Sequence, residues 1–355
     1  MNYSDKIKVL IVDDSVSIRN LLDMYISSDP KLEVIGKVEN PYDAAEIIKK
    51  QIPDVITLDI EMPRMDGLTF LKKIMIQHPI PVIIVSSKTT KGAVATMKAL
   101  EYGAVEILHK PIDYGSTKEE TIQILTSKIK AAHLAKIKSR HSKSFEVAPK
   151  LSADAIIQKH SKYTQQKSTE RIVAIGASTG GTEAIALILS KLDIDSPGIV
   201  IVQHMPPHFT KAFAERLNQT CSIYVKEAEN GDYLRKGMAL IAPGDQHMIV
   251  ESFAGRTKVK LLDGPPVNRH KPSVDVLFRS MANKIGSKGM GIILTGMGDD
   301  GARGLLEMKE SGAQTIAQDE KSCVVYGMPR AAVKLNAHLY ISTLHLISDF
   351  IHKFK

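Results

Sequence analysis

The chain has 355 residues, 43% of them hydrophobic and 24% charged, which resembles an average soluble globular protein and excludes a wholly disordered, collagen-like or coiled-coil chain. No apolar run reaches the roughly 18 residues of a membrane span, and the N-terminus lacks a secretion signal, so we expect a cytoplasmic, two-domain protein without membrane insertion. The net charge of +8 lies in residues 128–171, where eleven basic and three acidic residues leave an excess of eight, so it does not indicate a nucleic-acid partner.

Residues 5–127 alternate short β-rich runs with segments of helical spacing. The predicted strands are 7–12, 32–38, 54–58, 81–85 and 104–108. The helical segments between them are 16–28, 44–51, 68–77 and 93–102. This alternation predicts an α/β domain with a doubly wound, five-stranded parallel sheet, whose ligand site lies beyond the carboxyl ends of the strands.

Polar residues stand at the carboxyl ends of four of these strands. They are Asp13 and Asp14 after the first, Asp59 after the third, Ser86 after the fourth and Lys110 after the fifth. Three carboxylates at one sheet edge repel one another and favour a divalent cation with oxygen ligands, most simply Mg²⁺. The pair of aspartates alone could merely cap the following helix, but the whole set indicates a site.

Three segments of this domain carry a family resemblance. The runs VLIVDDS (9–15), LDIEMPRMDG (58–67) and HKP (109–111) resemble the receiver domain of bacterial response regulators. The resemblance implies that Asp59 accepts a phosphoryl group and that Asp13, Asp14 and Asp59 place Mg²⁺. It also implies that Ser86 and Lys110 sense the phosphoryl group.

Residues 128–170 are predicted to form a basic, flexible linker. The segment is rich in Ser, Thr, Gln and His and has no sustained apolar period, which is typical of a solvated tether.

Residues 171–355 resume the alternation of strands and helices. Strands are predicted at 171–175, 198–203, 238–242, 248–253 and 291–295. This half is too large and too close to neutral for the small, basic helix-turn-helix module that ends many response regulators. It is predicted to be an α/β domain with a mostly parallel sheet.

The first of these strands runs into the glycine-rich turn GASTGG (176–181) and then a helical pattern. The turn matches G-x-S-x-G between a strand and a helix, which presents the Ser178 hydroxyl at a tight turn as a nucleophile. Two other interpretations stay open. The turn could bind a phosphate at the helix N-terminus, or Ser178 could only cap the helix.

A serine nucleophile needs a base and a group that orients the base. His204 follows strand 198–203 at the same sheet edge as Ser178, while His247 and His270 are the alternatives. His204 and His208 also have a metal-like spacing. Because two prolines between them break the helix that this spacing requires, we expect no zinc site there.

The loop after strand 291–295 brings a carboxylate, Asp299 or Asp300, to the same edge. Serine, histidine and aspartate at three strand ends predict a serine-hydrolase triad. Their order along the chain differs from that of α/β-hydrolases, so a standard lipase or peptidase fold is disfavoured.

Several motifs of this half carry a second resemblance. They are GASTGG (176–181), QHMP (203–206), HKPSVDVLF (270–278), LTGMGDDG (294–301), QDE (318–320) and CVVYGMP (323–329). Together they resemble the catalytic domain of the CheB family of chemotaxis protein-glutamate methylesterases, from about residue 171 to 345. The sequence departs from the family at Lys271, where Arg is common, and at Asp245, where a second Gly often stands.

The resemblance implies a triad of Ser178, His204 and Asp300, with backbone N–H groups near Met297 and Thr179 as candidate oxyanion donors. It implies a phosphorylation-activated esterase without a cofactor of its own, which demethylates glutamate γ-methyl esters of methyl-accepting chemotaxis receptors and also deamidates receptor glutamines. A chemotaxis histidine kinase would be the phosphodonor, and the unphosphorylated receiver would cover the active edge. The alternatives are a receiver-controlled serine hydrolase with another acyl substrate and a non-enzymatic binding output.

Overall fold

The computed structural model describes residues 6–62, 67–77, 79–87, 90–110, 118–136, 151–159, 170–207, 209–253 and 255–354. The chain divides into two compact units, Met1–His141 and Ser142–Lys355. Among the described helices, none has the length and apolar character that crossing a membrane requires.

The first unit is a five-stranded parallel sheet between helices. Its strands are β1 (Ile7–Val12), β2 (Leu32–Val38), β3 (Val55–Asp59), β4 (Val82–Ser87) and β5 (Glu106–Lys110). Its helices are α1 (Val16–Ser27), α2 (Pro41–Lys50), α3 (Gly67–Gln77), α4 (Thr90–Glu101) and α5 (Lys118–Lys136). The strand order is β2-β1-β3-β4-β5 and every neighbouring pair is parallel, which confirms the predicted doubly wound fold. The central strands are apolar because helices cover both faces of the sheet.

The predicted linker boundary at residue 128 is wrong, because α5 continues to Lys136. Ile129 and Ala132 extend the apolar face that begins with Leu125, and all three are buried in the core of this unit. The side chains of Lys128 and Lys130 are partly exposed. Lys128, the first residue of the predicted linker, forms an ion pair with Glu106 at 3.0 Å.

The other end of the predicted linker also differs, since residues 151–159 pack on the second unit. Ala153 is buried in a small cluster with Ile249, Val267 and Val276. The Asp154 carboxylate accepts a hydrogen bond of 2.6 Å from Arg279 Nη1. The remaining linker residues, 137–150 and 160–169, lie outside the described part of the chain.

The second unit contains a seven-stranded parallel sheet and a two-stranded hairpin. Its strands are β6 (Ile172–Ala177), β7 (Gly198–Gln203), β8 (Tyr224–Glu227), β9 (Met238–Ile241), β10 (His247–Phe253), β11 (Arg256–Leu262), β12 (Gly289–Ile293), β13 (Gln314–Gln318) and β14 (Tyr340–Ser342). Its helices are α6 (Gly181–Leu189), α7 (Phe209–Thr220), α8 (Val274–Lys284), α9 (Ala302–Glu310), α10 (Met328–Lys334) and α11 (Leu344–Lys353). Short 3₁₀ turns lie at Ala153–Ala155 and Gly286–Lys288.

The order of the large sheet is β14-β13-β12-β6-β7-β9-β8. From β6 the chain moves to β7 on one side and later returns to β12 on the other, so β6 and β12 flank the point where the strand order reverses. In open parallel sheets, ligands bind beyond the carboxyl ends of the strands at such a point. The mostly parallel α/β fold predicted for this half is confirmed.

The core of the second unit lies between this sheet and the helices packed on it. Leu277, Phe278 and Met281 of α8 are buried together with Leu305 and Met308 of α9. Helix α8 is therefore a central element, and its N-terminus, at Val274, lies close to the edge where β6, β7 and β12 end.

Candidate active site

The ends of β6, β7 and β12 bring Ser178, His204 and Asp300 to one edge of the sheet. The backbone N–H of Ser178 donates to the carbonyl of Thr295 at 3.0 Å, just beyond β12. Its own carbonyl accepts from Gln203 Nε2, at the end of β7, at 2.9 Å. Ser178 is thus held from both neighbouring strands, as its predicted position requires.

The turn after Ser178 depends on two glycines. Gly180 has a φ of +77°, and a Cβ there would lie 2.6 Å from the Val324 side chain. A Cβ on Gly181 would lie 2.1 Å from Gln203 Oε1. Ser178 is not among the described residues that have a positive φ. The left-handed residue of this turn is therefore Gly180, which adopts a positive φ without strain, and not the serine that takes the strained position in a nucleophile elbow.

His204 and Asp300 form a direct hydrogen bond. His204 Nε2 donates to Asp300 Oδ2 at 2.8 Å, and the His204 side chain is only 6% exposed. His204 Nδ1 is buried and has no hydrogen-bond partner among the described residues, so the Ser178 hydroxyl is not hydrogen-bonded to it in this structure. The two elements are joined here through the backbone, where His204 N–H donates to the Ala177 carbonyl at 3.1 Å. Burial opposes the charged form of Asp300, but the hydrogen bond and charge of His204 hold the pKa of this carboxyl below its usual range.

The alternative residues from the sequence take other places. His247 Nδ1 accepts from the backbone N–H of Ser273 at 3.2 Å, and its Nε2 donates to the Pro265 carbonyl at 3.0 Å. Burial lowers the pKa of His247, and both of its ring nitrogens are used in hydrogen bonds to backbone groups. Asp299 is exposed, whereas Asp300 is buried, so Asp300 is the one of the two aspartates that contacts His204.

His270 stacks on His204, with ring centroids 3.7 Å apart and planes 5° from parallel. Ligand atoms of these two histidines and Asp300 lie within 4.8 Å of one another. Imidazole lone pairs lie in the ring planes, so two parallel stacked rings cannot direct both at one tetrahedral ion. The arrangement suits proton transfer better than metal binding. His208, the other half of the metal-like spacing, lies outside the described residues.

In the first unit, the predicted polar residues lie together at the edge where the carboxyl ends of the strands meet. Lys110 Nζ lies 2.6 Å from Asp59 Oδ2 and 2.8 Å from Asp13 Oδ2. Burial alone would lower the pKa of Lys110, but the hydrogen bonds to the two carboxylates raise it. Ser86 is fully buried, one residue beyond the partner of Asp59 on the neighbouring strand.

The three carboxylates of this edge fit a hard cation. Asp13, Asp14 and Asp59 offer oxygens within 4.8 Å of one another, and oxygen ligands are those that Mg²⁺ prefers. Ser15, rather than either aspartate, is the cap of α1. The capping alternative therefore does not account for Asp13 and Asp14.

Comparison with known proteins agrees with both halves of this structure. The family model for CheB methylesterase matches residues 173–351, and that for the response regulator receiver domain matches residues 9–121. The chain belongs to the CheB methylesterase family.

Individual relatives support this over almost the whole chain. Protein-glutamate methylesterase/protein-glutamine glutaminase 2 of Oleidesulfovibrio alaskensis is 53% identical over 330 residues, which are 93% of each chain. The protein-glutamate methylesterase/protein-glutamine glutaminase of group 3 operon of Rhodopseudomonas palustris is 52% identical, and the match covers 96% of this chain and 94% of that protein. The CheB methylesterase catalytic domain of Thermotoga maritima superposes over its full length and 53% of this chain, with 37% identity and a TM-score of 0.52. The family predicted from the sequence motifs is thereby confirmed.

The two oxyanion candidates of this CheB-family domain lie on either side of the β6–β12 boundary. Met297 follows Gly296, at which an added Cβ would lie 2.7 Å from Ser178 Cβ. The loop is fixed from the far side, because Met328 N–H donates to the Gly296 carbonyl at 2.8 Å. Thr179 is buried, and its carbonyl accepts from the Thr295 hydroxyl at 3.0 Å.

The residues that hold Asp300 were not predicted from the sequence. The Asp300 carboxylate also accepts from Asn268 Nδ2, the Ser273 hydroxyl, and the backbone N–H groups of Val274 and Asp275. These belong to the HKPSVDVLF motif and the residues before it. In the sequence, Ser273 is only a serine before a helix and Asn268 only an asparagine in a short turn. Both patterns are too common in proteins to indicate that these residues contact the site.

Proposed function

We propose that this chain hydrolyses glutamate γ-methyl esters of methyl-accepting chemotaxis receptors, under the control of receiver phosphorylation. The His204–Asp300 hydrogen bond beside Ser178 carries the proposal, in a chain about half identical to proteins named for that activity. By the same route the enzyme deamidates receptor glutamines, since the relatives' names join both activities.

The ester reaction uses three side chains in named roles. Ser178 attacks the γ-carbonyl while His204, through Nδ1, takes its proton. Asp300 holds the imidazole by Nε2 and stabilises the imidazolium that forms. Methanol leaves with a proton from His204, and water then releases the glutamate from the acyl-serine. With a glutamine substrate, ammonia leaves instead.

The negative charge that develops on the carbonyl oxygen needs donors already in place. The backbone N–H groups of Met297 and Thr179 are the candidates, because the loops that carry them meet at Ser178. Loss of one such donor in a serine hydrolase costs about 2.7–4 kcal/mol of transition-state stabilisation. No cofactor is proposed for this step.

Control resides in the receiver. Asp59 accepts the phosphoryl group, with a chemotaxis histidine kinase as donor. Asp13, Asp14 and Asp59 would hold Mg²⁺, which when bound neutralises phosphoryl oxygens. Lys110 already bridges Asp13 and Asp59, so it is placed to respond to the added charge together with Ser86. Because receptor methylation sites and the kinase are cytoplasmic, the proposed location is the cytoplasm.

Methanol release from methylated receptor membranes tests the proposal. The wild-type chain should release methanol, Ser178→Ala should not, and Ser190→Ala, which changes an exposed serine just after α6, should behave as wild type. A serine-directed phosphonate should label Ser178 stoichiometrically. Labelling without methanol release would indicate another acyl substrate, and absence of both would rule out a serine hydrolase.

A further inference from the structure

The buried carboxylate of Asp300 is held by more than His204. Five hydrogen bonds reach it, and the other four come from Asn268, Ser273 and the first backbone N–H groups of α8. The N-terminus of a helix stabilises an anion, so this end of α8 favours the charged form of Asp300. The charged form of Asp300 is therefore stabilised by the protein itself, without substrate.

A second buried carboxylate lies directly behind the first. Asp275 is 3% exposed, and its Oδ1 accepts from the Gly304 backbone N–H at 2.7 Å. The side-chain amide of Asn268 lies between the two acids. Its Nδ2 is 2.6 Å from Asp275 Oδ2 and 2.8 Å from Asp300 Oδ1. One amide group thus donates to both carboxylates and offsets part of their mutual repulsion.

The backbone of Asn268 is fixed in an unusual conformation. Asn268 and Arg269 have φ values of 50° and 69°, and they form a two-residue turn closed by reciprocal hydrogen bonds between Val267 and His270. Left-handed backbone at both central positions is typical of tight hairpin turns, and asparagine tolerates it better than most residues. The Asn268 N–H donates to the Leu151 carbonyl at 2.9 Å.

This turn presents two side chains to the proposed triad at once. Asn268 contacts Asp300, and His270, two residues later, stacks on His204. The turn therefore sets the position of the acid and the plane of the base together.

We propose that Asn268 is a positioning residue for the ester hydrolysis, which holds Asp300 ionised and aligned with His204 by bridging it to Asp275. The inference rests on the proposed function. Without the amide, the two buried carboxylates share fewer donors, so a proton is drawn into the pair and Asp300 binds His204 less strongly. Burial and the charge of Asp300 already raise the pKa of Asp275 to about 7, which shows how closely the two acids are coupled.

Two variants of the full chain test the role of the amide. Asn268→Gly removes the side chain but keeps access to positive φ, and Asn268→Asp keeps the shape but replaces the donor by a carboxyl. Asn336→Gly is the matched control, since Asn336 also has positive φ, at 52°, and lies at the end of α10.

Asn268→Gly should lower kcat for methanol release by about 10- to 100-fold, as small misplacements of catalytic groups do, with KM little changed. It should slow phosphonate labelling of Ser178 by a similar factor. Asn336→Gly should leave both rates near wild type, and thermal unfolding should show that both variants are folded.

The pH dependence of Asn268→Asp distinguishes a positioning role from a purely structural one, since loss of a structural contact alone would not change the shape of the pH profile. At low pH its protonated carboxyl can donate a hydrogen bond to Asp300, whereas at high pH a third carboxylate repels the other two. Its activity relative to wild type should therefore rise as the pH falls. The other titratable or charged groups around this position are Asp275, Asp300, His204, His270, His247, Lys271 and Glu307.

The outcomes separate the inference from the proposed function. If the wild type releases methanol and Asn268→Gly matches Asn336→Gly in kcat and labelling rate, the positioning role is wrong. A relative activity of Asn268→Asp that does not vary with pH would also overturn it. If the wild type releases no methanol, the proposed function fails, and the labelling rates of Ser178 still decide the role of Asn268.

Discussion

The imidazole ring of His204 lies face to face with that of His270, at a centroid distance of 3.7 Å. This stack fixes the plane of the His204 ring. In that plane Nε2 points to Asp300, and Nδ1 has no hydrogen-bond partner among the described residues. A general base held by one hydrogen bond alone could still rotate about it, so the second ring supplies an orientation that the aspartate cannot.

Two substitutions distinguish the contribution of the flat ring of His270 from that of its ring nitrogens. Phenylalanine keeps a flat ring against His204, so His270→Phe should retain kcat within a few-fold, whereas His270→Ala removes the surface and should lower kcat by about tenfold or more. Steady-state methanol release checks this. Equal losses in the two variants would mean that the imidazole of His270 acts through its nitrogens and not through its face.

The neighbouring acids Asp299 and Asp300 should differ sharply. Asp300→Asn removes the charge that accepts from His204 Nε2 and disturbs the tautomer of the ring, which in a serine triad lowers kcat by about 10⁴-fold. Asp299→Asn changes an exposed side chain and is the matched control, expected to stay within about twofold. Comparable losses in both variants would show that the orienting aspartate has been assigned wrongly.

Strand positions could be predicted where apolar runs are long and bounded by polar residues. β1, β2 and β7 have their predicted bounds, and their carboxyl ends place Asp13 and His204 as expected. β8, β11, β13 and β14 are not among the predicted strands. β8 and β14 have only four and three residues, and a short half-exposed strand has little periodicity, but β11 and β13 have seven and five residues and their length does not explain the omission.

The surroundings of the candidate site could not be predicted in the same way. The sequence pattern indicates which side chains reach a sheet edge, but not how a ring is turned or which of two adjacent acids is buried. The turn at Asn268 is fixed by a carbonyl more than a hundred residues away, that of Leu151, in a segment whose charge suggested a solvated linker. Tertiary hydrogen bonds of this kind leave no local periodicity.

Phosphorylation of the receiver should occur at Asp59 and need a divalent cation. A small phosphodonor with Mg²⁺ should give a hydroxylamine-sensitive label on the wild type, and chelation should abolish it, because three carboxylates repel the incoming phosphate without a cation. Asp59→Asn should take no label, whereas Asp23→Asn, at a partly exposed position of α1 where the side chain pairs with Lys37, should label normally. Label that persists in Asp59→Asn would place the phosphoacceptor elsewhere.

The coupled acids make stability depend on pH in a defined direction. Asp275 has its pKa raised from 3.8 to about 7 by burial and by the charge of Asp300. Between these values the folded state binds more protons at this site than the unfolded state, so the contribution of Asp275 to stability falls as the pH rises from about 4 to 7.

The measurement is the thermal midpoint of wild type and Asp275→Asn from pH 4 to 8. The midpoint of the wild type, taken relative to that of the variant, should decline up to about pH 7 and then level off. The change with pH is compared, since the variant also loses an acceptor for Asn268 and carries a constant offset. Parallel curves for the two proteins would mean that Asp275 does not titrate in this range.

A catalytic fragment that includes residues 151–159 should be more stable than one that begins at residue 171. In the whole chain the buried Arg279 donates to Glu307 twice, at 2.8 and 2.7 Å, and to Asp154 Oδ1 at 2.6 Å and the Ile157 carbonyl at 3.1 Å. Fragment 171–355 lacks Asp154 and Ile157, so Arg279 cannot form the last two of these hydrogen bonds. It also lacks Leu151, whose carbonyl accepts from the Asn268 N–H. A hydrogen bond to a charged group contributes about 1.5–3 kcal/mol net, so the thermal midpoint of 171–355 should lie several degrees below that of 151–355.

The same fragments test whether the receiver restrains the esterase. If the unphosphorylated receiver lowers access to the active edge, fragment 151–355 should release methanol faster than the unphosphorylated full chain. Phosphorylation should then raise the full chain to that rate or above it, and a tenfold shift in population needs only about 1.4 kcal/mol. Fragment 171–355 should be slower than 151–355, because the turn that positions Asp300 has lost its hydrogen bond to Leu151. A folded 151–355 fragment no faster than the unphosphorylated chain would exclude restraint by the receiver and require direct activation instead.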